Sequence, residues 1–222
     1  MPAKGIFIAL VLLLTPLAAL AINVGTVTTI IPAEKQLTAK EIKNESAMAR
    51  LITVRVDRID SPLSSGKIIP YDSADELLSS PSQLMMPGNS KNIIKFWYQG
   101  KQDAQERYYR LTFTDEPISD DESKDSGKYA MAQAKAVIST ILVVQPREKN
   151  LQYALSPQGV LNKGNVSFRI TAIGDCQDKK KKDCRELFYV MPGKTHAFQQ
   201  VDLHAKGSHV GLWDIEHFIP LQ

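Results

Sequence analysis

Met86-Pro87-Gly88-Asn89-Ser90 recurs in outline as Met191-Pro192-Gly193-Lys194-Thr195, 105 residues further along the chain. Proline fixes φ at the first position of a tight turn and glycine supplies a positive φ at the next. Each copy therefore predicts a turn that opens a strand, and apolar residues follow both turns, Ile93-Ile94 in one and Phe198 in the other. The spacing matches one β-sandwich domain of about 100 residues, so two such domains are predicted in tandem.

Short apolar runs fill the chain on both sides of these turns. They are rich in β-branched and aromatic residues, which favour strands. In the run 108–113, Tyr109, Leu111 and Phe113 share one face, which is predicted to point into a core. The other predicted strands are 51–56, 93–98, 138–144, 166–170, 187–190 and 210–213. The fold class is therefore predicted to be all-β, with two tandem immunoglobulin-like β-sandwich domains.

Three segments depart from this pattern. Residues 73–78 predict a helical turn with Ser73 as its cap. Residues 115–128 predict a long, charged, solvated loop, in which the acidic residues lack apolar neighbours. The segment 129–136 places alanine at every second position, so it fits either a strand or an alanine-rich helix that leads into the next strand.

The first 21 residues are predicted to be a secretory signal peptide. Lys4 gives a basic start, residues 6–14 are continuously apolar, and Ala19-Leu20-Ala21 has small residues where a signal peptidase cleaves. The mature chain is then predicted to be an exported protein with no membrane-inserted segment. Its first domain is expected to span residues 22–146 and its second domain residues 151–222, joined by a short polar segment.

Charge and cysteine content exclude several classes of function. A formal net charge of +3 is too small to indicate a nucleic-acid-binding protein. The lysine run 179–182 is predicted to be a solvated loop tip. It lies between Cys176 and Cys184, and in an oxidising compartment such an isolated pair is predicted to form a disulfide.

Catalytic and metal-binding signatures are absent from the sequence. It contains no GxSxG, P-loop, HExxH or GxGxxG motif, and its four histidines lack ligand spacing. The acidic residues in and near the loop 115–128 (Asp115, Glu116, Asp120, Asp121 and Glu122) are expected to be solvated. We therefore expect a protein that is not an enzyme and that needs no metal or cofactor.

Residues 106–113, Glu-Arg-Tyr-Tyr-Arg-Leu-Thr-Phe, followed by Pro117, resemble the signature strand of periplasmic pilus chaperones. The signal peptide, the Pro-Gly strand openers, the two-cysteine loop and the C-terminal Gly211-Leu212-Trp213 strand agree with that family. The closest similarity is to chaperones of the alternate (α-clade) chaperone–usher class, those of the common-pilus (Ecp/Mat-type) fimbriae. The segments that carry it are 50–55, 75–78, 140–144 and 191–194.

The resemblance implies a boomerang of two immunoglobulin-like domains that acts in the bacterial periplasm. Such chaperones bind fimbrial subunits, each an immunoglobulin-like fold that lacks its last strand. The chaperone lends a strand to the subunit, which is β-strand addition, and then delivers the subunit to an outer-membrane usher. The free chaperone is expected to be a monomer, with the subunit and the usher as its partners and no nucleic acid.

The lending strand is expected at residues 132–144. The side chains offered to the subunit are predicted to be Ala132, Ala134, Ala136 and Ile138, because alternate residues point the same way. The opposite face, with Val137, Ile141 and Val143, is expected to pack into the chain's own core.

The resemblance also implies a basic pair that binds the terminal carboxylate of the subunit. Alignment places Thr28 or Thr29 and Ile141 at those two positions, and neither is basic. The candidates that remain for this role are, in order, Arg110, Arg107 and Lys135. A buried interdomain ionic cluster is likewise implied, and it is predicted to contain Glu106, Arg147 and Asp202.

A second class of function stays open from the sequence. The chain fits a fimbrial structural subunit or an exported β-sandwich adhesin, because residues 22–29 alternate weakly and could form a donor segment. A chain that polymerises alone would indicate a structural subunit, whereas a monomer that binds one subunit would indicate a chaperone.

Overall fold

The computed structural model describes residues 22–118 and 135–221, in which every helix or strand assigned is a strand. No helix in these ranges is long and apolar enough to cross a bilayer. In chain order the strands are β1 (Ile22–Asn23), β2 (Thr28–Ile31), β3 (Leu37–Asn44), β4 (Arg50–Ile59), β5 (Leu77–Ser80), β6 (Gln83–Met86), β7 (Ser90–Tyr98), β8 (Arg107–Pro117), β9 (Ala136–Val144), β10 (Tyr153–Ser156), β11 (Gly159–Asn162), β12 (Phe168–Gly174), β13 (Cys184–Val190), β14 (Thr195–Ala197), β15 (His209–Asp214) and β16 (His217–Pro220).

The strands β1 to β9 form a first sandwich. One sheet has the order β1-β3-β7-β5 and the other the order β2-β9-β8-β4-β6. Between them lies one hydrophobic core, to which Tyr109, Leu111 and Phe113 contribute side chains that are 0% exposed. The alternation predicted for 108–113 is therefore confirmed, and it arises because β8 is a central strand with one face on the core.

The strands β10 to β16 form a second sandwich with a separate core. Its sheets have the orders β10-β11-β14 and β13-β12-β15-β16, and Phe168, Ile170 and Leu212 are buried between them. The disulfide between Cys176 and Cys184 is present, as predicted, and it closes the lysine-rich loop between β12 and β13. Two cores, each enclosed by two sheets, confirm the predicted fold class.

The two Pro-Gly turns differ in their geometry. Gly193 has φ of +70°, as the motif predicts. In the first turn the positive φ of 52° belongs to Asn89 instead of Gly88. Glycine is required at 88 for another reason, because a Cβ there would lie 2.1 Å from the carbonyl oxygen of Ala47. Both turns nevertheless precede a strand, β7 in the first sandwich and β14 in the second.

The helical turn predicted at 73–78 is wrong in its second half. The backbone N–H of Glu76 donates to the carbonyl oxygen of Ser73 at 3.2 Å, which closes one turn. Leu77 and Leu78 then enter β5 and pair with β7. The apolar face of this strand buries Leu77, which outweighs the local helical preference.

Asp115 is not part of a solvated loop, and that prediction is wrong. Strand β8 continues to Pro117, and Asp115 is 0% exposed. Arg50 donates to both of its carboxylate oxygens, from Nε at 2.6 Å and from an Nη at 2.8 Å. The backbone N–H of Ile22 donates to the same carboxylate at 3.3 Å. Glu116 is in the same strand, and the remainder of the predicted acidic group lies outside the described residues.

Candidate functional site

Strand β9 has different neighbours along its two halves. On one side it pairs with β8 over its whole length. On the other side β2 runs parallel to it, but the pairing begins at Thr28 opposite Ile141 and ends at Ile31 opposite Val144. Among the described residues, no strand pairs with residues 136–140 on that second side. We refer to residues 136–140 as the open half of β9 and to residues 141–144 as its covered half.

The backbone of the open half presents unused hydrogen-bonding groups. In the covered half the N–H of Ile141 donates to the carbonyl of Val27 at 2.8 Å, and beyond it the N–H of Gln145 donates to the carbonyl of Ile31 at 3.0 Å. Odd-numbered residues therefore point their N–H and C=O groups away from β8. By the same alternation Val137 and Ser139 direct theirs to the unpaired edge, which is a ready site for another strand.

The two faces of β9 are the reverse of what the sequence predicted. Ile138 packs against the core of the first sandwich, together with the buried Leu142 and Val144. Val137 is 61% exposed, so its assignment to the core is wrong, and Ile141 and Val143 share its outward face. Register explains the result, because Phe113 lies opposite Ile138 and Phe113 is a core residue.

The predicted subunit-facing residues lie only partly within the described chain. Ala136 begins β9 and is half-buried, and Ile138 follows on the same face. Ala132 and Ala134 lie outside the described residues. The period of two places Ala136 and Ile138 on the core side of the strand, and the role of all four residues in binding stays a prediction.

The three basic candidates have different surroundings. Arg107 is buried and donates two hydrogen bonds to Asp103, at 2.8 and 2.7 Å. This hydrogen-bonded ion pair lowers the pKa of Asp103 to about 2. Lys135 is exposed and pairs with Glu116. Arg110 alone lies opposite Ile141 on the outward face, where it donates to the carbonyl of Gly66 at 2.9 Å.

The predicted ionic cluster of Glu106, Arg147 and Asp202 does not form. Arg147 donates to the backbone carbonyls of Pro32 and Ala33, at 2.8 and 2.7 Å, within the first sandwich. Asp202 belongs to the second sandwich and pairs with Lys179 at the surface. That surface ion pair lowers the pKa of Asp202. Only Glu106 lies at the contact between the two sandwiches.

Other residues make the contact between the sandwiches. The carboxylate of Glu106 accepts the N–H of Ser167 at 2.7 Å, the hydroxyl of Ser167, and the hydroxyl of Tyr108 at 2.7 Å. Burial raises the pKa of Glu106, and these hydrogen bonds oppose the shift. Lys149, in the segment between the sandwiches, forms an ion pair with Asp214 of the second sandwich at 2.6 Å. Sequence reasoning missed Ser167 and Asp214, which lie in apolar strand surroundings without any motif.

A cavity of about 130 Å³ lies at the same contact. Thr28 and Ile141 are direct register partners and both line it. These are positions at which the resemblance implies basic residues, so the cavity wall is neutral there. No group of three or more His, Cys, Asp and Glu side chains within the described ranges could hold a metal ion.

Comparison with known families identifies both parts of the chain. Residues 21–151 match the pili and flagellar-assembly chaperone family, PapD N-terminal domain. Residues 151–221 match the EcpB C-terminal domain family. These matches place this all-β chain of two sandwiches in the class of pilus-assembly chaperones.

The relatives narrow this class further. The chain is 38% identical over 221 residues to a probable fimbrial chaperone EcpB of Klebsiella pneumoniae strain 342, covering 99% of this chain and 100% of the relative. It is 37% identical over the same length to the corresponding protein of Escherichia coli strain SMS-3-5, with 99% and 100% covered. The chain therefore belongs to the family of pilus chaperones and is of the Ecp type, as the sequence predicts.

Solved structures support the fold. The chaperone–tip adhesion subunit pre-assembly complex CsuC–CsuE of Acinetobacter baumannii contains a chain similar at a TM-score of 0.53 and 16% identity, with 90% of this chain and 97% of that chain covered. The complex of the Salmonella enterica SafA pilin with the SafB chaperone contains another, at 0.53 and 13% identity, with 86% and 89% covered. At these identities the likeness concerns the fold alone.

Proposed function

We propose that this chain is a periplasmic chaperone that binds fimbrial subunits by adding its strand β9 to their incomplete sandwiches. The open half of β9 is the observation that carries the proposal. Val137 and Ser139 offer two N–H and two C=O groups to a strand of the partner, on an edge that the described residues leave unpaired. Main-chain hydrogen bonds of this kind provide affinity that does not depend on sequence.

The side chains of the same strand would set the register of the complex. Ala132, Ala134, Ala136 and Ile138 are proposed to enter the groove of the subunit. Ile138 lies on the same face of β9 as Leu142 and Val144, which are in the core of the first sandwich. The core of a bound subunit would therefore lie next to that core, along the same strand. Three alanines fill little volume, and each absent methylene forgoes about 0.8 kcal/mol of burial. We therefore infer that the groove is shallow or that backbone pairing supplies more of the affinity.

Arg110 is the proposed ligand of the subunit's terminal carboxylate. It lies on the outward face of the sheet, opposite Ile141, and its guanidinium has a carbonyl oxygen of Gly66 as a partner within the chain. The two other candidates, Arg107 and Lys135, each pair with a carboxylate of the chain itself. A guanidinium with donors to spare suits a carboxylate, because it can donate two parallel hydrogen bonds.

The proposed activity is binding without turnover, with no cofactor. The chaperone stabilises the bound form of the subunit by mass action and then delivers it to an outer-membrane usher. The mature protein would begin at Ile22 after removal of residues 1–21, act as a monomer when free, and consist of domains 22–146 and 151–222.

A proline substitution at the open edge tests the proposal. Ser139→Pro removes an N–H that points away from β8, so the ladder to β8 stays intact and the domain should fold. Ile138→Pro removes an N–H that points to β8 and should unfold the domain, whereas Ser139→Ala keeps the edge donor. Each variant is co-expressed in the periplasm with an Ecp-type fimbrial subunit, and complexes are separated by gel filtration.

The parent and Ser139→Ala should form a one-to-one complex with the subunit, and Ser139→Pro should form none. A folded Ser139→Pro variant that binds the subunit as the parent does would contradict strand addition at this edge. Parent chain that polymerises without any subunit would instead indicate a structural subunit of the fibre.

A further inference from the structure

The cavity between the two sandwiches has a mostly apolar wall. Its apolar lining comes from both sandwiches: Ile30, Leu63, Ile141, Val143, Tyr189 and Met191. Its volume of about 130 Å³ is close to that of apolar protein cavities of about 150 Å³ that hold a benzene ring. A single ring or a branched aliphatic group is therefore the largest occupant that fits without movement of the walls.

Glu106 and Tyr108, two ionisable residues of the wall, already have partners. Glu106 accepts hydrogen bonds from Ser167 and from the hydroxyl of Tyr108, and all three residues line the cavity. The lining residues include no lysine and no arginine. A carboxylate that entered would meet the acidic Glu106 and no cation of the wall, so the cavity disfavours a terminal carboxylate.

One polar atom of the wall has no partner. Gln145 is 3% exposed and lines the cavity, and its Oε1 accepts no hydrogen bond from the described residues. Its Nε2 points to Asp214, with a donor–acceptor distance of 3.5 Å to Oδ1. The amide nitrogen of Gln145 faces Asp214 because an amide oxygen in that position would be repelled by the carboxylate. A buried acceptor without a donor is costly, so an occupant with an N–H or O–H group would satisfy it.

We propose that this cavity binds one uncharged ring that carries a single hydrogen-bond donor, such as a phenol or an indole. In the complete assembly this ring would be a side chain of the captured fimbrial subunit, which rests on the proposed function. The cavity adjoins β9 through Ile141 and Val143, so a subunit paired with the open half would lie beside residues that continue into the cavity wall. The chemistry of the cavity itself does not depend on the identity of the partner.

Three small probes test that chemistry on the free full-length mature chain. p-Cresol is an uncharged ring with a donor, toluene is the same ring without a donor, and benzoate is a ring with a carboxylate. Ligand-observed and amide NMR should show p-cresol binding with shifts at Ile141 and Gln145. Toluene should bind at least threefold more weakly and benzoate should not bind. Benzoate binding as tight as p-cresol, or no p-cresol binding at the cavity, would overturn the proposal.

Variants assign the binding to this cavity. Met191→Trp fills it from the second sandwich and should weaken p-cresol binding at least tenfold. Leu187→Trp is the matched control, because Leu187 lies in β13 of the same sandwich, is 53% exposed and does not line the cavity. Gln145→Leu should abolish the preference for p-cresol over toluene while toluene still binds. If Gln145→Leu still prefers p-cresol to toluene, Oε1 of Gln145 does not accept the hydrogen bond of the ligand.

The subunit complex tests the occupant separately. Met191→Trp should bind an Ecp-type subunit at least tenfold more weakly than the parent and Leu187→Trp do. Equal binding by all three would show that no subunit side chain occupies the cavity. The proposed function would not be affected by that result. If no form of the chain binds a subunit, the proposed function fails, and the p-cresol result still decides what the cavity accepts.

Discussion

The two halves of β9 share one partner, β8, but differ in their second neighbour. The covered half lies between β8 and β2, and its Leu142 and Val144 are 0% and 1% exposed. Among the described residues, the open half pairs with β8 alone, and its Val137 is 61% exposed. One strand thus serves as a central strand of the sandwich at one end and as an edge strand at the other. The comparison teaches that a segment buried in the sandwich and the segment proposed to bind a subunit follow each other in a single strand.

Side-chain size follows the same division. The covered half reads Ile-Leu-Val-Val, whereas the open half reads Ala-Val-Ile-Ser-Thr. An exposed apolar edge promotes aggregation, and small or hydroxylated residues reduce that risk. Three of the five residues of the open half are small or hydroxylated, and this composition suits an edge that is proposed to stay unpaired until a subunit binds.

The largest expected effect is in the covered half. Leu142→Ala should lower the free energy of unfolding by about 2–5 kcal/mol, because it leaves a cavity in the core. Val137→Ala in the open half should change it by less than about 0.5 kcal/mol. Urea denaturation followed by fluorescence measures both. Similar losses for the two variants would remove the distinction between the halves.

The next effect concerns the two faces of the open half. Ile138→Asp places a carboxylate on the core side, where we expect both a loss of stability and at least about 100-fold weaker subunit binding. Val137→Asp places the same charge on the outward face and should leave folding and binding unchanged. Near-UV circular dichroism at low temperature verifies folding before binding is measured. Loss of binding in Val137→Asp alone would show that the other face enters the subunit.

A smaller effect is expected at Arg110, which lies beside the junction of the halves. Arg110→Ala should weaken subunit binding by about 1.5–3 kcal/mol if it holds a carboxylate. Lys135→Ala is the control and should cost less than about 1 kcal/mol, since its ion pair is exposed. Repeating the titration with a subunit amidated at its C-terminus should abolish the difference between the parent and Arg110→Ala. A difference that persists would exclude the carboxylate as the ligand.

The smallest effect is a pH dependence at the end of the covered half, where Glu106 precedes β8. Its pKa is raised in the folded chain by burial, so the native state holds this proton more tightly than the unfolded state. Its contribution to stability is then greatest below the ordinary glutamate pKa of about 4.3 and is lost as pH rises through the native pKa.

Urea midpoints at pH 4 and pH 8 measure this contribution. Relative to Glu106→Gln, the parent should lose stability as the pH rises. The exposed Glu148→Gln serves as a control for the change in net charge, and it should show no such trend relative to the parent. The opposite slope for Glu106 would mean that the hydrogen bonds from Ser167 outweigh its burial.

Strands and core residues could be predicted where polarity alternates clearly. Tyr109, Leu111 and Phe113 alternate with polar or half-exposed residues, so their face was evident from the sequence. In β9 both faces carry apolar residues, Val137 and Ile141 on one and Ile138 and Leu142 on the other. Only the register against β8 decides which face is buried, and register is a tertiary property.

The charged residues were harder to predict, because their partners lie far away in the sequence. Asp115 reads as one of several loop acids, yet Arg50 reaches it from the neighbouring strand, 65 positions away. Arg147 was expected at the contact between the sandwiches, but its guanidinium donates hydrogen bonds to carbonyl groups of the first sandwich. In both cases the partners that the folded chain brings within reach of the ion, and not its residue type, determined the outcome.

Given the proposed removal of residues 1–21, the buried carboxylate of Asp115 would couple proteolytic maturation to folding. Its Oδ2 accepts the backbone N–H of Ile22, the residue that follows the predicted cleavage site. Cleavage after Ala21 would convert that amide into an ammonium group and give the carboxylate a second cationic partner beside Arg50. A leader peptidase that cut one bond later would leave no ammonium at this position. Cleavage after translocation across the inner membrane would then form a new ion pair between the amino terminus and Asp115. This ion pair would hold the amino terminus against the first sandwich.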